Sequence, residues 1–138
     1  MTQPDTIENS SVKRVIVAED NQAMRLSMIN YLMLDGFVVT GVGSSDEFCL
    51  QVSAEPYVIA IIDSDLPDKT GLALAEYTRK NTSLRVITLS NSHSSSTVLD
   101  NIKAGADINL VKPVNFRLLA ACVNTLFSRI NLLNHPHH

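Results

Sequence analysis

Cysteine is scarce. There are two in 138 residues, and Cys49 and Cys122 lie far apart with no CxxC spacing. A disulfide framework and a thiolate metal cluster both lack their signature, so the expectation is two buried free thiols in a reducing compartment. There is no Lys/Arg cluster, and the net charge is -3. The electrostatic footprint of nucleic-acid or anionic-membrane binding is therefore missing from this segment. No apolar run reaches the roughly 20 residues that span a bilayer. The opening stretch, MTQPDTIENSS, is polar and lacks the apolar region of a secretory signal. These absences leave a cytoplasmic protein with no membrane partner as the expectation. No internal repeat or long linker interrupts the chain.

Apolar residues make up 45% of the chain and charged residues 18%. This is ordinary globular composition rather than disorder. The length suits one domain, which at this size hides roughly two-thirds of its unfolded surface. The expected layout is a flexible lead-in over 1–11, one domain over 12–131 and a histidine-containing tail over 132–138. His135, His137 and His138 in that tail, and His93 in a Ser-rich loop, read as solvent-facing.

Short β-rich runs alternate with helical stretches. Residues 12–18 read as a first strand and 22–34 as a helix closed by Gly36. A second strand covers 37–42. Ser44 and Glu47 form a capping box for a helix to about residue 54. Residues 57–62 are apolar at nearly every position, as a central parallel strand covered on both faces must be. A helix to about residue 80, a strand over 85–89, a short helix near 96–104 and a strand over 107–111 follow. The last helix, about 115–130, carries Leu119, Cys122, Val123, Leu126, Phe127 and Ile130 as one buried stripe. Five βα units predict a doubly wound parallel sheet, with function at the carboxyl ends of the strands.

Those ends carry a specific set of residues. Glu19 and Asp20 follow the first strand, Asp63 and Asp65 the third, Ser90 the fourth and Lys112 the fifth. Clustered carboxylates favour a hard divalent cation, and Mg²⁺ suits one or two carboxylates plus a phosphate oxygen. A carboxylate beside such a cation can attack phosphorus and form an aspartyl phosphate. The charge that spreads over the transferred group then needs neutralising. Lys112 and the cation answer that need, and Ser90 can donate a hydrogen bond.

Four stretches, VIVAED (15–20), IIDSDLPDKTG (61–71), ITLS (87–90) and AGADINLVKP (104–113), resemble the receiver domain family of two-component response regulators. The resemblance covers about residues 12–130. It implies a flavodoxin-like three-layer sandwich, a five-stranded parallel sheet in the order 2-1-3-4-5, and a cis peptide before Pro113. It implies Asp63 as phosphoacceptor, with Asp20, Asp63 and the backbone carbonyl of Asp65 as metal ligands. Glu19 would act mostly through a metal-bound water. Ser90 would be the switch hydroxyl, and Lys112 would pair with Asp63 or the phosphate. The implied cofactor is Mg²⁺, with Mn²⁺ as a substitute. The implied partners are a sensor histidine kinase or histidine phosphotransfer protein, an effector domain or protein outside this chain, and, as a further option, a second copy in a homodimer. Leu66-Pro67-Asp68 resembles receivers of winged-helix transcription regulators. Such a domain catalyses its own phosphorylation and dephosphorylation and is not an enzyme on a separate substrate.

Two positions depart from the family pattern. Asn109 stands where an aromatic residue is usual, and Asn91 follows the switch hydroxyl where a small residue is usual. The expectation is that Asn109 hydrogen-bonds Asn91 or the loop, and that the signal leaves mainly through the loop after Ser90. Asp65 and Ser92 occupy the positions that tune phosphoryl lifetime in the family. Met24, Met28 and Met33 on the first helix read as core plus scattered surface apolars, with Met24 and Met28 as the alternative candidates for contacts with a kinase or phosphotransfer partner. The alternatives are a pseudo-receiver interaction module that is never phosphorylated and, using Asp63-x-Asp65, a haloacid-dehalogenase-like phosphatase.

Overall fold

The computed structural model describes residues 13–66, 68, 70–91 and 95–134. Ser92, His93, the lead-in and residues 135–138 of the tail lie outside the described residues. The elements run β1 (Arg14–Ala18), α1 (Gln22–Met33), β2 (Val38–Val42), α2 (Ser45–Ala54), β3 (Ile59–Asp63), α3 (Gly71–Asn81), β4 (Arg85–Ser90), α4 (Ser95–Ala104), β5 (Ile108–Val111) and α5 (Phe116–Asn134). All strand pairs are parallel, in the order β2-β1-β3-β4-β5. β3, expected from Tyr57, starts two residues later at Ile59.

Alternation along each strand divides the core into two layers. Val15, Val17, Ile59, Ile61, Ile87 and Leu89 face Met28 and Leu32 of α1 and Leu119, Val123 and Phe127 of α5. Ile16, Ala18, Ala60, Ile62 and Val86 face Phe48 of α2, Leu74 of α3 and Ala104 of α4. Every residue of β3 is buried, as its unbroken apolar run requires. The α5 stripe is seated as expected, with Cys122 and Ile130 half-buried at its margins. Both cysteines are free and only half-buried, more open than the expectation of buried thiols.

The helix ends follow local chemistry. Gly36, at φ 86°, supplies the left-handed turn that closes α1. Ser44 Oγ accepts from the Glu47 N–H at 3.3 Å, and Glu47 Oε1 accepts from the Gly43 N–H at 2.7 Å. The box thus closes one residue earlier than its usual form. A second cap comes from outside the helix. The Asp68 carboxylate accepts from the Ser45 and Asp46 N–H groups at 3.0 and 3.2 Å. These bonds hold its pKa below the ordinary value. Nothing in the local sequence around residue 68 announces that role.

Candidate functional site

Backbone register assembles the site. Asp63 and Ser90 are the last residues of β3 and β4, and Glu19 and Lys112 come directly after β1 and β5. The ladder continues one step past the strands. Glu19 N–H donates to Val42 O at 3.0 Å, Ser64 N–H to Leu89 O at 2.8 Å and Lys112 N–H to Ser90 O at 2.8 Å. The peptide bond between Lys112 and Pro113 is cis. Gly71 holds the far side of the loop that follows β3. Its N–H donates to Ser64 O at 3.0 Å. A Cβ at Gly71 would stand 2.4 Å from Ser64 Cα and 2.6 Å from Asp63 O, so only glycine allows α3 to start there.

Within this frame Lys112 Nζ donates to Asp63 Oδ2 at 2.9 Å, and it lies 4.0 Å from Glu19 Oε1. The Asp65 N–H donates to Asp63 Oδ1 at 3.0 Å. The Asn21 N–H donates to Glu19 Oε2 at 3.1 Å, and Arg25 Nη1 donates to the Glu19 carbonyl at 2.7 Å. Asp63 and Glu19 are buried, at 1% and 2% exposure. Asp20 is exposed.

This arrangement leaves negative charge uncompensated. Burial, followed by proton sharing with Asp63 and repulsion from it, raises the Glu19 pKa to about 7. Burial alone would lower the Lys112 pKa. The hydrogen bond to Asp63 and the charges of Asp63, Glu19 and Asp65 outweigh it and raise the ammonium above its usual value. Glu19 Oε1 is buried with no hydrogen-bond partner among the described residues. One oxygen each from Glu19, Asp20 and Asp63 lies within 4.8 Å of the others. An orphaned buried oxygen within an all-oxygen donor set fits a hard divalent cation such as Mg²⁺.

Comparison with known proteins follows the same positions. The model of the response regulator receiver domain matches residues 15–124. The chain belongs to this family. Among similar proteins, the two-component response regulator PhoP of Pseudomonas aeruginosa is 31% identical over 117 residues, covering 84% of this chain and 52% of PhoP. The transcriptional regulatory protein AruR of the same organism is 28% identical over 124 residues, covering 86% of this chain and 51% of AruR. The receiver thus spans about half the length of these curated relatives. A solved receiver domain of a Francisella response regulator superposes with a TM-score of 0.82 at 27% identity, covering 85% of this chain and 98% of that one.

The receiver gathers Glu19, Asp20, Asp63 and Lys112 as expected. The Asp65 carboxylate stands apart from the acidic trio and accepts from Asn91 Nδ2. The expected partners of Asn109 are corrected. Its Oδ1 accepts from Thr88 Oγ1 at 2.8 Å and from Asn101 Nδ2 at 3.0 Å, and its Nδ2 donates to Ser90 Oγ at 3.3 Å. The reason is register: Thr88 and Asn109 are paired across β4 and β5, so their side chains share a face. Met28 is also corrected. It is fully buried in the core and unavailable to a partner, whereas Leu26 and Met33 of the same helix are exposed. Thr88, Asn101 and Arg25 were missed by the sequence reading. A polar residue within an apolar strand, Thr88 in VITLS, was the one available signal.

Proposed function

We propose that this receiver is a phosphoacceptor that takes a phosphoryl group onto Asp63 with Mg²⁺ present. The supporting observation is the buried Asp63 carboxylate, bonded to Lys112 at 2.9 Å and sharing its pocket with Glu19 and Asp20. Glu19, Asp20 and Asp63 would hold the cation, which supplies charge neutralisation to the phosphoryl oxygens. Mn²⁺ suits the same oxygen donors. An Asp63 oxygen forms a bond to phosphorus as the bond from phosphorus to the donor's imidazole nitrogen breaks, and that nitrogen takes a proton from solvent. Lys112 pairs with the charge on Asp63 before transfer and with a phosphoryl oxygen afterwards. Ser90 is the hydroxyl that turns to the phosphoryl group. The donor is a sensor histidine kinase or a histidine phosphotransfer protein, or a small acyl phosphate standing in for one. The output belongs to an effector domain or protein, or to a second copy of the receiver. The domain acts on itself, not as an enzyme on a separate substrate, and the reading carries a cytoplasmic placement with it. Among the described residues no helix is long and apolar enough to cross a membrane.

Incubation with acetyl phosphate and Mg²⁺, read by intact mass, tests this. The expected product is an adduct of about 80 Da, one phosphoryl group, lost in Asp63→Asn and on chelation with EDTA. No adduct on the folded protein would leave a pseudo-receiver interaction module. Rapid turnover of phosphate esters would point to a phosphatase.

A further inference from the structure

Among the described residues, Arg25 is paired with no carboxylate. Its Nη1 instead donates to the main-chain carbonyl of Glu19 at 2.7 Å, the length of a charge-assisted bond. β2 and the residue after it give the side chain room to reach. Arg25 and Ile29, one turn apart on α1, lie over Gly41. A Cβ at Gly41 would stand 2.9 Å from Arg25 Cγ, 3.0 Å from its Cδ and 2.6 Å from Ile29 Cδ1. A Cβ at Gly43 would stand 3.3 Å from Arg25 Nη1. Neither glycine has a positive φ, so what they supply here is space and not backbone freedom. The peptide between Glu19 and Asp20 is therefore held from α1, while the Glu19 N–H is held by Val42 O at 3.0 Å and the Glu19 carboxylate by the Asn21 N–H at 3.1 Å.

We propose that Arg25 is a positioning residue for the cation site, fixing the Glu19–Asp20 peptide so that the Asp20 carboxylate stays with those of Glu19 and Asp63. This rests on the reading of that trio as the holders of Mg²⁺ and adds a residue that is not itself a ligand. A peptide unit is planar. Fixing its oxygen therefore fixes the direction in which the Asp20 nitrogen and Cα leave it. Asp20 depends on that support more than the two acids it joins. Glu19 and Asp63 are buried and their carboxylates accept N–H bonds. Asp20 is exposed, and among the described residues its carboxylate accepts no hydrogen bond. Its place within 4.8 Å of the other two acids is set by its main chain. Mg²⁺ demands near-octahedral ligand positions, and groups behind the ligands set affinity by orienting them. The charge of Arg25 acts in the opposite sense, because a guanidinium beside a cation site repels the cation. The sign of the effect on affinity separates the two roles.

The test is Mg²⁺ titration of the full chain by calorimetry at about pH 8, where Glu19 is ionised, with urea unfolding alongside. Arg25→Met keeps an apolar stem over Gly41 and removes the donor. Its Mg²⁺ dissociation constant should rise roughly tenfold. Arg25→Lys keeps a donor on a long stem and should recover most of that loss. Gly41→Ala reaches the same bond from the strand, crowding the stem with Arg25 intact, and should weaken Mg²⁺ binding in the same direction. A packing role alone would lower the unfolding midpoint of Arg25→Met and leave the affinity of the folded protein unchanged. A charge role alone would tighten binding in Arg25→Met and leave Arg25→Lys like wild type. Either result overturns the positioning role, while Mg²⁺ binding and the acetyl phosphate adduct of the wild type leave the phosphoacceptor reading standing. If Arg25→Met does not fold, Arg25→Gln, whose amide stops short of the carbonyl, carries the same expectation. A wild type that neither binds Mg²⁺ nor gains the mass adduct sinks that reading and the positioning role together.

Discussion

The two ends of the sheet each carry an acid–base pair, and the pairs are built differently. At the amino end of β4, Arg85 Nη1 lies 3.7 Å from Asp107 Oδ1, with side chains 38% and 31% exposed. Asp107 Oδ2 also accepts from the Val86 N–H at 2.8 Å. One cation meets one anion, water reaches both, and the spare oxygen is occupied. At the carboxyl end, Lys112 meets Asp63 at 2.9 Å, with side chains 22% and 2% exposed. Here one ammonium faces a pair of buried acids, and an oxygen of Glu19 is unpartnered among the described residues. The first pair trims the edge of a sheet. The second holds charge that folding alone gives no reason to bury.

Removing the cation from each pair tests this contrast most directly. Lys112→Ala at about pH 8 leaves two buried acids with no counter-charge, and it should lower the unfolding free energy by about 3 kcal/mol in urea titration. An equal loss from Arg85→Ala would erase the distinction between the two ends.

Glu19 gives the next largest effect, through pH. Its pKa rises from 4.5 to about 7 on folding, so folding favours the protonated form. That stabilising contribution is complete below pH 4.5 and disappears as pH climbs through about 7. A divalent cation needs the ionised form. Mg²⁺ affinity should therefore fall by up to about tenfold per pH unit below about 7. Calorimetry near neutral pH, in two buffers of different ionisation enthalpy, should show proton release on binding. A pH-independent affinity between 6 and 8 would mean that Glu19 takes no part. Glu19→Gln should flatten the dependence.

The smallest effect is at the exposed end. Arg85→Ala should cost less than about 0.5 kcal/mol and leave Mg²⁺ binding unchanged. A measurable shift in cation affinity would mean that the two ends communicate through β4.

Much of this was legible in the chain because period and chemistry agreed. The apolar run of β3 announced a central strand, and the residues ending β1, β3, β4 and β5 announced the acids, hydroxyl and amine that the sheet gathers. Gly36, Ser44 and Glu47 marked helix ends through purely local bonds. The sequence could not show which face of β5 Asn109 occupies relative to β4. That depends on pairing between strands separated by a whole helix, and it decides for Thr88, Ser90 and Asn101 over Asn91. Which of the methionines enters the core is not legible for a related reason. Three methionines on one helix look equivalent in composition, and only the helix's rotation on the sheet buries Met28 while leaving Met33 54% exposed. Asp68 was invisible because the helix it caps lies more than twenty residues earlier.

The pairing of β1 with β3 has a consequence in time as well as space. Val15 sits beside Ile59, yet α1, β2 and α2 all intervene along the chain. Glu19 and Asp63 therefore stay strangers until the most distant ladder of the sheet has zipped, a contact that topology makes slow. Their mutual repulsion arrives only with that closure, as a toll on its last rungs. An ion that recognises the finished pocket and not the open chain would act as a latch on a completed fold.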